Sequence, residues 1–134
     1  MANPKDLGVR TDPYDNVLVP VTLPSATATA HGSTATIAAS ALANLNHTNT
    51  GAGGAIVLTL PSANTIPLQG FRVYVTVAQQ VSLSPLATER IYLAGSGVLN
   101  KDLVIAGQIG NYADVYSDGT NYFVANYSGV VTKE

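Results

Sequence analysis

Cysteine is absent from the 134-residue chain, so disulfides and thiolate metal sites are excluded and no redox compartment is implied. Charge is nearly as scarce. Asp, Glu, Lys and Arg make up only 10% of the residues, against about a quarter in an ordinary soluble domain. The deficit is concentrated: no charged residue occurs from Asn16 to Phe71, a run rich in Ala, Thr, Ser, Gly and Asn. Two readings stand. The run forms a neutral Thr/Ser surface, or other subunits cover it, since interface cores are depleted in charge. The net charge of −2 is too weak to steer the protein to nucleic acid or to an anionic membrane. No stretch approaches the roughly 18 apolar residues of a membrane helix. Residues 1–14 are polar and lack the apolar core of a secretory signal, so synthesis in a cytoplasm is expected.

What is present points to one domain. A chain of this length buries about two thirds of its unfolded surface and can hold a core without staples. Residues 1–16 carry Lys5, Asp6, Arg10, Asp12 and Asp15 with Pro4, Gly8 and Pro13, and no apolar period; they are expected to form an extended N-terminal arm. Residues 17–134 are expected to form the domain. Residues 17–23 (VLVPVTL) are strand-like, but Pro20 confines them to an edge. Residues 25–36 read as a loop with a short strand. Residues 37–45 (IAASALANL) are the single candidate helix, with Ile37, Ala41, Leu42 and Leu45 at helical spacing and Asn44 and Asn46 at its end. Residues 46–54 (NHTNTGAGG) read as a turn-forming loop.

Strands then follow closely. Residues 55–60 stop at Pro61. Residues 71–78 (FRVYVTVA) alternate, with Phe71, Val73, Val75 and Val77 on one face and Arg72, Tyr74 and Thr76 on the other. Segments 81–84, 90–93, 102–106, 113–116 and 122–126 complete the series. Asp118-Gly119 marks a hairpin turn. Short strands separated by turn residues predict an all-β, sandwich or jelly-roll-like fold with at most one short helix. Connections this short leave no room for the helices of parallel β/α units. TLPSA occurs at 22–26 and again at 59–63 and is read as a chance recurrence.

No motif carries a catalytic or cofactor site, and no cofactor or metal is expected. His31 and His47 each lie among Gly, Ser, Thr and Asn without a neighbouring ligand, whereas zinc or iron sites need three or four. A histidine on a trimer axis is the one arrangement that supplies three copies. No G-x-S-x-G elbow occurs. Asp114 and Asp118 could mimic a glycosidase carboxylate pair, but Asp118 is better explained by the turn and Asp114 by a solvent-facing strand position. Gly51, Gly53 and Gly54 lack the lysine and following helix of a phosphate cradle. Asn46-His47-Thr48 and Asn126-Tyr127-Ser128 match a glycosylation pattern that means little without secretion. Of seven tyrosines, Tyr112, Tyr116, Tyr122 and Tyr127 cluster late in the chain. Such residues suit sheet surfaces, interfaces and sugar contacts.

Four segments in order carry a resemblance: 50–63 (TGAGGAIVLTLPSA), 70–85 (GFRVYVTVAQQVSLSP), 91–97 (IYLAGSG) and 113–124 (ADVYSDGTNYFV). Together they resemble a β module of tailed-bacteriophage virion proteins, found in capsid decoration (cement) or head-fibre proteins and in tail-fibre tips. The chain departs from that pattern at Tyr122, where tryptophan is commoner, and in having no fibre shaft. The resemblance implies a non-enzymatic β-sandwich that trimerises, binds the major capsid protein and reinforces the phage head on the virion surface. The alternative it implies is a receptor module reading host surface glycans. It supplies no catalytic residues.

Overall fold

The computed structural model describes residues 28–42 and 45–134. The expected arm 1–16, the strand at 17–23 and the first TLPSA copy lie outside the described residues. Within them the chain is all-β. One six-stranded and one five-stranded sheet enclose a single core.

The first six strands alternate between the sheets. Strands β1 (Ala28–Ala30), β3 (Asn46–Thr48) and β5 (Gly70–Tyr74) lie side by side and parallel in the larger sheet. Strands β2 (Ala35–Thr36), β4 (Ile56–Thr59) and β6 (Val81–Ser84) do the same in the smaller one. Parallel neighbours normally need a long crossover, usually helical. Here the strand in the opposite sheet is the crossover, so parallel pairing arises without a β/α unit. The remaining strands are β7 (Ile91–Tyr92), β8 (Leu103–Ile105), β9 (Tyr112–Ser117), β10 (Tyr122–Ser128) and β11 (Val131–Lys133). Of these, β9 and β10 extend the larger sheet antiparallel, with β7 parallel at its edge. The smaller sheet is extended by β8 and β11.

Alternation sets the faces. Phe71, Val73 and Val75 are buried while Arg72 and Tyr74 face outward. The same rule buries Ile56 and Leu58, Leu103 and Ile105, and Ala113 and Val115. Each fully buried Leu or Ile contributes about 1.5–3 kcal/mol of transfer free energy.

Three local expectations need correction. The helix is a single turn, Ala39–Leu42, and Asn46 opens a strand instead of ending a helix. Ile37 and Leu42 are still buried, so their apolar spacing marked core contacts, not a long helix. The segment 46–54 is therefore strand first and turn second. The strand at 71–78 ends at Tyr74, because the buried Asn49 takes over the backbone beyond it. The hairpin turn spans residues 118–121 and opens with Asp118-Gly119 as expected; strand β11 gave no sequence signal.

Asn49 is fully satisfied. Its Oδ1 accepts from the Thr76 and Val77 N–H groups at 2.7 and 3.0 Å, and its Nδ2 donates to the Val77 and Gln79 carbonyls at 2.8 Å each. One side chain thus closes the end of the sandwich where β5 turns toward β6. Asn49→Ala leaves the Thr76 and Val77 N–H groups and the Gln79 carbonyl without protein partners among the described residues, while the Val77 carbonyl keeps the Gln79 N–H, and is expected to cost roughly 2–4 kcal/mol, measured by urea denaturation. A loss below the error of that measurement would remove Asn49 from this role.

Candidate functional site

Segments 50–63 and 113–124 meet at one end of the sandwich. Pro61-Ser62-Ala63 follows β4 and runs beneath the β9–β10 hairpin. Tyr122 Oη donates to the Pro61 carbonyl at 2.7 Å, and Ser117 Oγ donates to the Ala63 carbonyl at 2.6 Å. The Glu89 carboxylate accepts from Ser62 Oγ at 2.8 Å and from the Ala63 N–H at 3.1 Å. Burial, and then the Glu89 charge, push the Tyr122 hydroxyl pKa upward, so it stays a donor. In the hairpin loop, Asp118 Oδ1 accepts from the Thr120 and Asn121 N–H groups at 2.8 Å each, and Gly119 supplies φ +93°. Those backbone bonds hold the Asp118 carboxyl below its usual pKa. Asn121 Oδ1 accepts from the Arg90 N–H at 2.9 Å, tying β7 to the loop.

The residues weighed for carboxylate catalysis have separate tasks: Asp118 builds the turn, and Asp114 pairs with Arg72 on the outer sheet face. Gly51, Gly53 and Gly54 lead into β4. The histidines do come together, although 16 residues apart. His47 is fully buried, and its Nε2–H faces the Leu42 carbonyl at 3.3 Å. A carbonyl only accepts, so the His47 proton sits on Nε2 and Nδ1 accepts from His31 Nε2–H at 2.9 Å. The rings stack at 5.2 Å, and His47 meets Phe71 edge-on at 6.0 Å. Among the described residues, no group of three His, Cys, Asp or Glu is placed to hold a metal ion.

The outer face of the larger sheet holds three cross-strand rows. Tyr92, Phe123 and Tyr116 stack on β7, β10 and β9, with centroids at 4.8 and 5.4 Å. Asn46, Arg72 and Asp114 form the middle row on β3, β5 and β9. Arg72 Nε donates to Asp114 Oδ1 at 2.5 Å and Nη2 to Oδ2 at 2.7 Å. That bidentate pair raises the Arg72 pKa and keeps the guanidinium charged. Tyr74 and Tyr112 form the third row at 5.5 Å, with Arg72 Cζ 4.4 Å from the Tyr112 ring centre. Tyr112, Tyr116 and Tyr127 lie on the surface as half-buried or exposed residues, whereas Tyr122 is wholly buried.

Sequence reasoning placed Arg72 and Asp114 on strand faces but did not pair them. It overlooked Asn49, Glu89 and Ser117 altogether. A register between β5 and β9 was the missing information. Comparison with protein-family models and with curated proteins finds no match to this chain.

The histidine pair predicts acid sensitivity. Burial holds both pKa values below the ordinary 6.5. The unfolded chain therefore binds protons that the fold refuses. Stability is full above about pH 6.5 and falls as pH drops below it. Melting across pH 5–8 with NMR titration of the imidazole C2 protons checks this. A His47 titration at or above the ordinary value contradicts it.

Proposed function

We propose that the chain is a virion structural protein of a tailed bacteriophage. Its task is capsid decoration: it binds the assembled head as a trimer and stabilises it on the virion surface after synthesis in the host cytoplasm. The observation that carries this reading is the composition of one edge of each sheet. Among the described residues, β1 ends the larger sheet and β2 the smaller one, and the residues of both strands are only Ala and Thr. Monomeric proteins usually guard such edges with charge, proline or bulges. An uncharged edge suits strand addition by a neighbouring subunit, in which main-chain hydrogen bonds supply affinity.

Two further features support it. Two of the segments behind the phage-protein resemblance, 50–63 and 113–124, are joined by the bonds of Tyr122 and Ser117 to Pro61 and Ala63, and Glu89 binds the same stretch. Their polar groups serve architecture. A specific contact needs about 800 Å² per partner, within reach of a sheet edge together with the arm expected from the sequence at residues 1–16. Binding the shell but not its free subunits stabilises it by mass action.

A second reading is a receptor module of a tail fibre that binds host surface glycans. The aromatic rows on the outer face of the larger sheet favour it.

Co-sedimentation with empty shells of the parent phage at micromolar concentration tests the first reading. Wild-type protein is expected in the pellet. Ala30→Lys, which puts a charge on the β1 edge, is expected to fold and to bind about tenfold more weakly. Absence of the wild-type protein from the pellet defeats the decoration reading, and equal binding by Ala30→Lys removes the β1 edge from the contact.

A further inference from the structure

The outer face of the larger sheet has a gap in it. Gly70 lies directly across from Tyr116 in the β5–β9 register. Opposed residues in an antiparallel pair point to the same face, so the missing side chain leaves space beside the Tyr116 ring. Phe123 stacks on Tyr116 from the other strand at an interplanar angle of 21°. That stack covers one face of the Tyr116 ring and leaves the other toward Gly70. A depression of about 350 Å³ opens there, bounded by Gly70, Tyr116, Arg72, Asp114, Asn46 and Ala125. Backbone crowding keeps it open: a Cβ on Gly70 would sit 3.0 Å from the Val115 carbonyl oxygen and 3.4 Å from the Tyr116 Cβ.

We propose that this slot binds one uncharged pyranose ring. The proposal deepens the glycan-receptor reading and rests on it. Three properties select this ligand. The size lies at the small end of ligand pockets, which begin near 300 Å³. One wall is a tyrosine that is 40% exposed, and an aromatic face accepts the apolar C–H face of a sugar. The adjoining wall is the Arg72–Asp114 pair. Its charges cancel, which disfavours an anionic or cationic ligand. It still offers both kinds of polar group. Among the described residues, three of the five Arg72 N–H donors are engaged, two with Asp114 and one with Tyr74 Oη. The Asp114 oxygens hold lone pairs beyond the two that Arg72 uses. A sugar hydroxyl both donates and accepts, so a neutral pair of this kind matches vicinal hydroxyls.

The test is NMR titration of the full chain with the methyl glycosides of glucose, galactose, mannose, rhamnose and N-acetylglucosamine, with N-acetylneuraminic acid as the charged comparator. At least one neutral glycoside is expected to shift the Gly70, Tyr116 and Asn46 amides and the Arg72 Nε–H. Tyr116→Ala retains the fold, checked by its amide spectrum, and weakens that glycoside about tenfold. Tyr127→Ala, outside the slot, leaves binding unchanged. No shift at these groups with any neutral glycoside at millimolar concentration overturns the proposal. So does binding confined to N-acetylneuraminic acid, or equal affinity in Tyr116→Ala. A glycan array distinguishes the two failures: array binding that survives Tyr116→Ala keeps the receptor reading and discards only this slot, whereas an array without hits discards both.

Discussion

The clamp between Pro61-Ser62-Ala63 and the β9–β10 hairpin is the contact on which the rest of the structure depends. It joins a segment leaving the smaller sheet to a hairpin of the larger one, and so ties the two layers at one end. Tyr122 fills the core with its ring and spends its hydroxyl on Pro61. Proline leaves that carbonyl at a point where β4 has ended, with no ladder partner of its own. Ser117 and Glu89 satisfy the neighbouring Ala63 and Ser62 groups. Buried polar groups without partners are costly, so the clamp stabilises by satisfying several of them at once.

The same economy runs through the molecule. Without cysteine, polar side chains take the place of covalent ties. Asn49 closes one end of the sandwich, Glu89 and Ser117 hold the other, and the neutral His31–His47 pair joins β1 to β3. Each works only in one protonation or one geometry. The parallel winding of the first six strands follows from two-layer construction. Each return path is itself a strand, so it contributes to the core while it connects.

The scarcity of charge has two structural consequences. The β1 and β2 strands lack the charges that usually discourage strand addition, which is the basis of the proposed role in assembly. The outer face of the larger sheet carries its charge as one mutually neutralised pair between aromatic rows. A protein built this way presents shape, stacking surface and backbone edges to its surroundings, with little long-range field. Both proposed partners, a lattice and a neutral sugar, can be recognised without such a field, unlike a polyanion.

The all-β class, the alternation at Phe71–Val75, the strand at Val81–Ser84 and the hairpin around Asp118-Gly119 were legible in the sequence. Each is a local property: a period of two, a run of β-branched residues, or a turn that needs glycine. The winding between sheets was not legible, because parallel and antiparallel partners obey the same alternation. Nor were the Arg72–Asp114 pair, the slot over Gly70 or the histidine contact. Those depend on cross-strand register and on residues far apart in the chain, and only packing the two layers together fixed them. The chain by itself determined which side chains face inward. The tertiary structure decided which of the outward ones meet, because register is set by the whole core and not by any one strand.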